Sequence, residues 1–181
     1  MSVMRDDIGT VLADENTIRE RVEELGRRIT ADYAGKEPLF VGVLKGCFIF
    51  MADLVRACDL KCTVDFMVVS SYGAGTKSSG AVEIVKDLSR DIAGRDVIIV
   101  EDILDSGNTL SYLTRIMKAR NPASIRIVTL MDKPERRTAE VQADYVGFTI
   151  PDSFVVGYGL DYDQRYRNLP YIGVLKPRVY S

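Results

Sequence analysis

The sequence predicts an α/β fold in which a parallel, twisted sheet is flanked by helices, with a small element appended after residue 150. Three observations carry this expectation. Short apolar runs rich in β-branched residues recur along the chain, and several are continuous rather than alternating, as in strands buried on both faces. Segments with apolar residues at helical spacing separate them. Strand and helix follow one another without a repeat or low-complexity linker, which favours right-handed crossovers between parallel strands.

The elements follow in order. Ile18, Val22, Leu25 and Ile29 recur at helical spacing, so roughly 15–34 is an amphipathic helix that starts near Asp14 or Asn16 and closes at Gly35. PLFVGVL (38–44) reads as a buried strand, and 46–58 as a buried helix, apolar nearly all round. CTVDFMVVSSYG (62–73) is a further strand, GAGTKSSG (73–80) a polar loop and AVEIVKDL (81–88) the strand after it. Another strand begins at about 95. Leu110, Leu113, Ile116 and Met117 mark a helix from Gly107 to Arg120, and SIRIVTLM (124–131) and ADYVGFTI (143–150) are again strands. Beyond Pro151 the chain is rich in Gly, Tyr and Asp.

Composition narrows the function. At 181 residues the chain fits one domain with a real core. Its 24 basic and 26 acidic residues leave a net charge of −2. That balance argues against nucleic acid or a membrane surface as partner, since both favour a basic surplus. No window is long and apolar enough to span a bilayer, and MSVMRDDIGT lacks the core of a signal peptide. Cys47, Cys58 and Cys62 lie in mostly apolar surroundings and read as buried thiols of a reducing cytoplasm. There is no histidine, so acid–base work falls to Asp, Glu, Lys or Tyr.

The stretch VIIVEDILDSGNTL (97–110) carries most of the chemistry. In an open α/β sheet, ligands bind outside the carboxyl ends of the strands, and Glu101-Asp102 sits at such an end. Adjacent residues of an extended strand point to opposite faces, so both acids serve one ligand only if the strand has already ended. Ser106, Gly107, Asn108 and Thr109 then open a helix. Their free backbone N–H groups and the helix dipole suit a phosphate, and Gly107 allows close approach. A phosphate at one end and a vicinal diol facing two carboxylates describe a ribose 5-phosphate. Three crowded acids need a compensating cation, either a divalent metal or charge developing on the sugar.

These residues closely resemble the phosphoribosyl diphosphate signature of type I phosphoribosyltransferases. PLFVGVLKGCFIFMADL, SSYG and PDSFVVGYGLDYDQRYRNLP extend the resemblance over nearly the whole chain, toward the bacterial hypoxanthine-guanine branch of that family. The resemblance implies a core over about 35–150 and a small hood subdomain from the N-terminal segment and about 151–181. It also implies Mg2+-dependent transfer of 5-phosphoribosyl from phosphoribosyl diphosphate to a 6-oxopurine, by a cytoplasmic homodimer or homotetramer.

Residue by residue, it implies that Leu44-Lys45-Gly46 turns through a non-proline cis peptide whose backbone holds the diphosphate. Ser71-Tyr72 belongs to a lid, and Glu101 and Asp102 attend the ribose and the metal. Asp105 is the general base beside N7 of the purine, and Ser106, Gly107, Asn108 and Thr109 cradle the 5-phosphate. Lys133, in LMDKPERR (130–137), donates to the purine 6-oxygen, which disfavours adenine. Phe154 stacks on the base, Val155 contacts its edge through the backbone, Asp161 helps hold Mg2+ and Arg167 contacts the diphosphate. The rival readings are a transferase for another base such as xanthine, and a phosphoribosyl diphosphate sensor of the same fold. Retention of Asp105 and the Lys45-Gly46 turn, without a basic surplus, counts against the sensor.

Overall fold

The computed structural model describes residues 3–71 and 82–180, so the polar stretch 73–80, and Tyr72 with it, lie outside the described residues. A short helix α1 (Val3–Asp6) leads into strand β1 (Ile8–Ala13), which the sequence did not announce. Only its end residues, Ile8 and Ala13, are buried, so it lacks the apolar run that marks the other strands. Helix α2 (Glu15–Asp32) follows, N-capped by Asp14, whose carboxylate accepts from the Thr17 N–H at 2.8 Å. Ile18, Val22, Leu25 and Ile29 form its buried stripe.

The remaining elements are β2 (Leu39–Leu44), α3 (Phe48–Ala57), β3 (Thr63–Ser71), β4 (Val82–Lys86), β5 (Asp96–Leu104), α4 (Asn108–Lys118), β6 (Ser124–Asp132), β7 (Tyr145–Thr149), β8 (Val155–Val156) and β9 (Ile172–Leu175). Six strands make the main sheet in the order β4-β3-β2-β5-β6-β7. All neighbours run parallel except β4, which is antiparallel to β3, with Ser71 opposite Val82 and Val68 opposite Lys86. The sheet is thus the expected parallel one flanked by helices, with β4 as an antiparallel edge strand. Only residues 72–81 connect the two strands, too few for the crossover that a parallel pair needs.

The main sheet is packed on both faces. Ile98 and Val100 join the cluster built with α2 and α3, around Leu25, Ile29, Phe50 and Leu54. Val97 and Ile99 join the opposite cluster with Leu110, Leu113 and Met117 of α4. Each fully buried Leu, Ile or Phe contributes about 1.5–3 kcal/mol relative to exposure. Burial on both faces explains why β5 reads as a continuous apolar run.

A second, antiparallel sheet of order β1-β9-β8 gathers the N-terminal and C-terminal segments. Buried tyrosines fasten the parts together. Tyr145 Oη donates to Asp32 at 2.6 Å, joining β7 to α2, and Tyr158 Oη donates to Asp53 of α3 at 2.5 Å. Tyr166 Oη donates to Asp7 at 2.9 Å, across the second sheet's surroundings. Among the described residues no helix is long and apolar enough to cross a membrane.

Candidate active site

The carboxyl ends of β2 and β5 open on a cavity of about 240 Å³. Lys45, Gly46, Glu101, Asp102, Asp105, Ser106, Gly107 and Thr109 all line it. The expectation that β5 ends before its acids is corrected, since the ladder to β6 continues to Leu104, opposite Asp132. What changes across the acids is the facing. Before them the even-numbered Ile98 and Val100 pack with α2 and α3; after them it is Ile103 that does, and Leu104 packs with α4. The alternation slips by one across Glu101-Asp102, so both residues line one space.

Burial pushes the Glu101 carboxyl well above the usual carboxylate range, reinforced by the neighbouring Asp102 charge. Burial also raises Asp102, partly offset by hydrogen bonds from Glu101 and the Ile103 N–H and by the charge of Arg167. A Cβ at Gly46 would lie 1.6 Å from Asp102 Oδ2, so only glycine admits that carboxylate. The Leu44–Lys45 peptide bond beside it is cis, as the resemblance implies.

The carbonyls of the loop from β5 to α4 are held by donors that follow β6. Gly107, in the left-handed region at φ 82°, is the N-cap of α4 and makes no side-chain cap bond. Asn108 N–H approaches Ser106 Oγ only at 3.5 Å, so the first amides of the helix remain available to an anion. Arg137 grips the back of the loop. Its Nε donates to the Asp105 carbonyl at 3.0 Å and its Nη2 to the Leu104 carbonyl at 3.3 Å. It also pairs with Asp132, and Thr138 and Ala139 N–H groups both donate to the Ser106 carbonyl.

A second cavity, of about 410 Å³, adjoins the first. Ile103, Asp105, Lys133, Arg136, Asp152, Phe154, Val155, Leu160 and Tyr180 form its walls. Lys133 is buried, and its Nζ donates to the Ser153 carbonyl at 2.6 Å. Val155 is buried in β8, while Phe154 is 41% exposed. One face of the Phe154 ring is covered by Tyr180, with centroids 5.0 Å apart and planes 24° from parallel. The Tyr162 ring stands nearly perpendicular to it, with centroids 5.7 Å apart. A flat ligand stacking on Phe154 would have to use the ring's other face, or displace Tyr180.

The two cavities divide most of the sequence-predicted residues into two groups that share Asp105. Asn108, Asp161 and Arg167 line neither cavity among the described residues. Arg167 Nη2 pairs with Asp161 Oδ1 at 2.7 Å and its Nη1 donates to the Gly159 carbonyl at 2.7 Å, so this pair is occupied with itself. The side chains of Ser71 and Tyr72 lie outside the described residues. Sequence reading missed Arg136, Arg137, Asp152 and Tyr180. The two arginines were visible only as part of the charged run KPERR, which has the composition of a solvated turn.

No group of three or more His, Cys, Asp or Glu among the described residues could hold a metal ion. Glu101 and Asp102 nevertheless line one cavity, and two acids side by side there suit a cation held jointly with ligand oxygens. Magnesium is ordinarily bound that way, through one or two carboxylates, water and phosphate.

The sequence profile of the phosphoribosyl transferase domain matches residues 10–163. The chain belongs to the phosphoribosyl transferase family. It is 57% identical over 179 residues to the hypoxanthine-guanine phosphoribosyltransferase of Bacillus subtilis, covering 99% of both chains. It is 57% identical over 178 residues to the bifunctional protein TilS/HprT of Listeria monocytogenes, and spans 28% of that longer protein's length. A crystal structure of a hypoxanthine phosphoribosyltransferase from Staphylococcus aureus superimposes with a TM-score of 0.96 at 53% identity, covering 99% of this chain and 98% of that one. The match places a phosphoribosyl transferase domain over most of the chain.

Proposed function

We propose that the chain transfers a 5-phosphoribosyl group from phosphoribosyl diphosphate to N9 of hypoxanthine or guanine, giving IMP or GMP and diphosphate in purine salvage. One observation carries this reading. Asp105 and Ile103 belong to the walls of both cavities, so a sugar phosphate in one and a base in the other would meet at Asp105.

In this reading the amides of Ser106, Gly107, Asn108 and Thr109 bind the 5-phosphate, and Glu101 and Asp102 accept from the ribose hydroxyls. The Lys45-Gly46 turn and Arg167 hold the diphosphate. Glu101, Asp102 and Asp161 would hold Mg2+, which supplies charge neutralisation for the departing diphosphate. Asp161 is paired with Arg167 in this structure. Breaking the bond at C1 leaves positive charge on the sugar, and the carboxylates beside it stabilise that charge chiefly in the transition state. Lys133 donates to the purine 6-oxygen, Phe154 stacks on the ring and Val155 contacts its edge. Asp105 takes or holds the proton at N7. The core of about 35–150, the hood of the N-terminal segment and about 151–181, a cytoplasmic location and a homodimer or homotetramer complete the reading.

Mixing the protein with phosphoribosyl diphosphate, magnesium and each purine in turn, and following ultraviolet absorbance, tests it. Hypoxanthine and guanine are expected to be converted, adenine not, and a chelator to stop the reaction. Conversion of no 6-oxopurine would overturn the proposal and favour a sensor.

A further inference from the structure

The base-facing cavity contains a chain of four charges that the roles above leave half unexplained. Arg136 ends the short 3-10 turn Pro134–Arg136, and its Nε lies 2.9 Å from Asp105 Oδ1. Its Nη1 lies 3.3 and 3.4 Å from the two oxygens of Asp152. Asp152 Oδ1 in turn lies 3.8 Å from Lys133 Nζ. The order is Asp105, Arg136, Asp152, Lys133. It links the group placed at N7 of the base to the group placed at its 6-oxygen.

Stability does not account for this chain. Arg136 and Asp152 are about half exposed, and ion pairs of that kind contribute little to folding. Geometry accounts for it better. Asp105 Oδ1 is buried against Arg136 without an aligned hydrogen bond, whereas the side chain as a whole is 40% exposed. One oxygen is thus turned toward the arginine, leaving the other for the cavity. Lys133 has three N–H donors; one goes to Ser153 and one is drawn toward Asp152, leaving one for a ligand oxygen.

We propose that Arg136 and Asp152 are positioning residues that fix the spacing between Asp105 and Lys133, and thereby select a base with an acceptor oxygen and an N7 proton at that separation. The inference rests on the transferase reading above. Arg136 acts through Asp105, and Asp152 through Lys133 and Arg136; neither handles the reacting atoms.

Steady-state kinetics of Arg136→Ala, Arg136→Lys, Asp152→Ala and the double alanine variant test it in the full-length protein. Arg136→Ala should lower kcat by about ten- to a hundredfold, as expected for a small misplacement of a reacting group. Arg136→Lys should recover part of that loss. Asp152→Ala should raise KM for hypoxanthine about three- to fivefold, the scale of one partly exposed ion pair. KM for phosphoribosyl diphosphate should stay within about twofold, and Tm within about 2 °C, since surface substitutions change stability little. The double variant should lose less than the product of the single losses, because the two residues act as one unit. Parent-like kcat and KM in both single variants would overturn the inference while the transferase reading stands. So would equal rises in both KM values that track a fall in Tm. A parent protein that converts no 6-oxopurine would overturn both.

Discussion

Asp105→Asn is expected to lower turnover by about 10²–10⁴-fold, the range of a positioned general acid or base. Phosphoribosyl diphosphate should still bind within about threefold of the parent, since the loop amides that follow Asp105, and not its carboxylate, are the groups given to the phosphate. The split follows from how Asp105 is placed. Its backbone carbonyl is held by Arg137 and its carboxylate by Arg136, whereas the uncapped amides at the start of α4 belong to the residues that follow it. Asparagine keeps the shape and an acceptor oxygen but cannot take up a proton. Single-turnover rates with hypoxanthine, beside equilibrium binding of phosphoribosyl diphosphate, separate the two effects. Unchanged turnover would mean that the proton is handled elsewhere.

The double substitution Glu101→Gln with Asp102→Asn should do the reverse, weakening phosphoribosyl diphosphate roughly tenfold or more, because hydrogen bonds to charged groups contribute ~1.5–3 kcal/mol each. It should also stabilise the ligand-free protein at neutral pH. Both carboxyls are raised in the folded state, Glu101 by burial and then by Asp102, and Asp102 by burial. Below the unfolded pKa of about 4, folded and unfolded chains are both protonated there and nothing is lost. As pH rises toward the folded values, the unfolded chain releases protons that the folded chain retains, and stability falls. Each unit of such a shift corresponds to about 1.4 kcal/mol. The amide variant escapes this loss, so its Tm should exceed the parent's near pH 7–8 and converge with it near pH 4. Calorimetry without metal or ligand reads this directly. Equal Tm values across the range, or unaltered ligand affinity, would remove the acids from the role given them.

Local signals carried far in this sequence, and long-range ones did not. Ile18, Val22, Leu25 and Ile29 announce α2 because helical burial writes its period into the residues themselves. Glu101 to Thr109 announce a ligand because acids and small polar residues at a strand end have no packing role there. β1 stayed hidden because its reason for existing is β9, more than 150 positions away, and its own residues are mostly exposed. The direction of β4 depends on its partner rather than its composition. The phase slip across Glu101-Asp102 is a matter of facing, which identity alone does not encode. Arg137 shows the limit most plainly. Its Nη1 donates to the Val141 carbonyl at 2.8 Å while the rest of the guanidinium holds the loop from β5 to α4, yet in sequence it is one cation in a charged turn.

The three tyrosine–aspartate fasteners give the molecule an alkaline boundary. Burial raises the phenols of Tyr145, Tyr158 and Tyr166, helped in each case by the hydrogen bond to Asp32, Asp53 or Asp7. Their contribution is intact below the ordinary phenol value of about 10 and is lost as pH climbs beyond it, when the unfolded chain ionises first. All three therefore weaken in the same window. The turn over α3, the link from β7 to α2 and the surroundings of the second sheet would then loosen together, so strong base should dismantle both sheets in one event rather than shed them in turn.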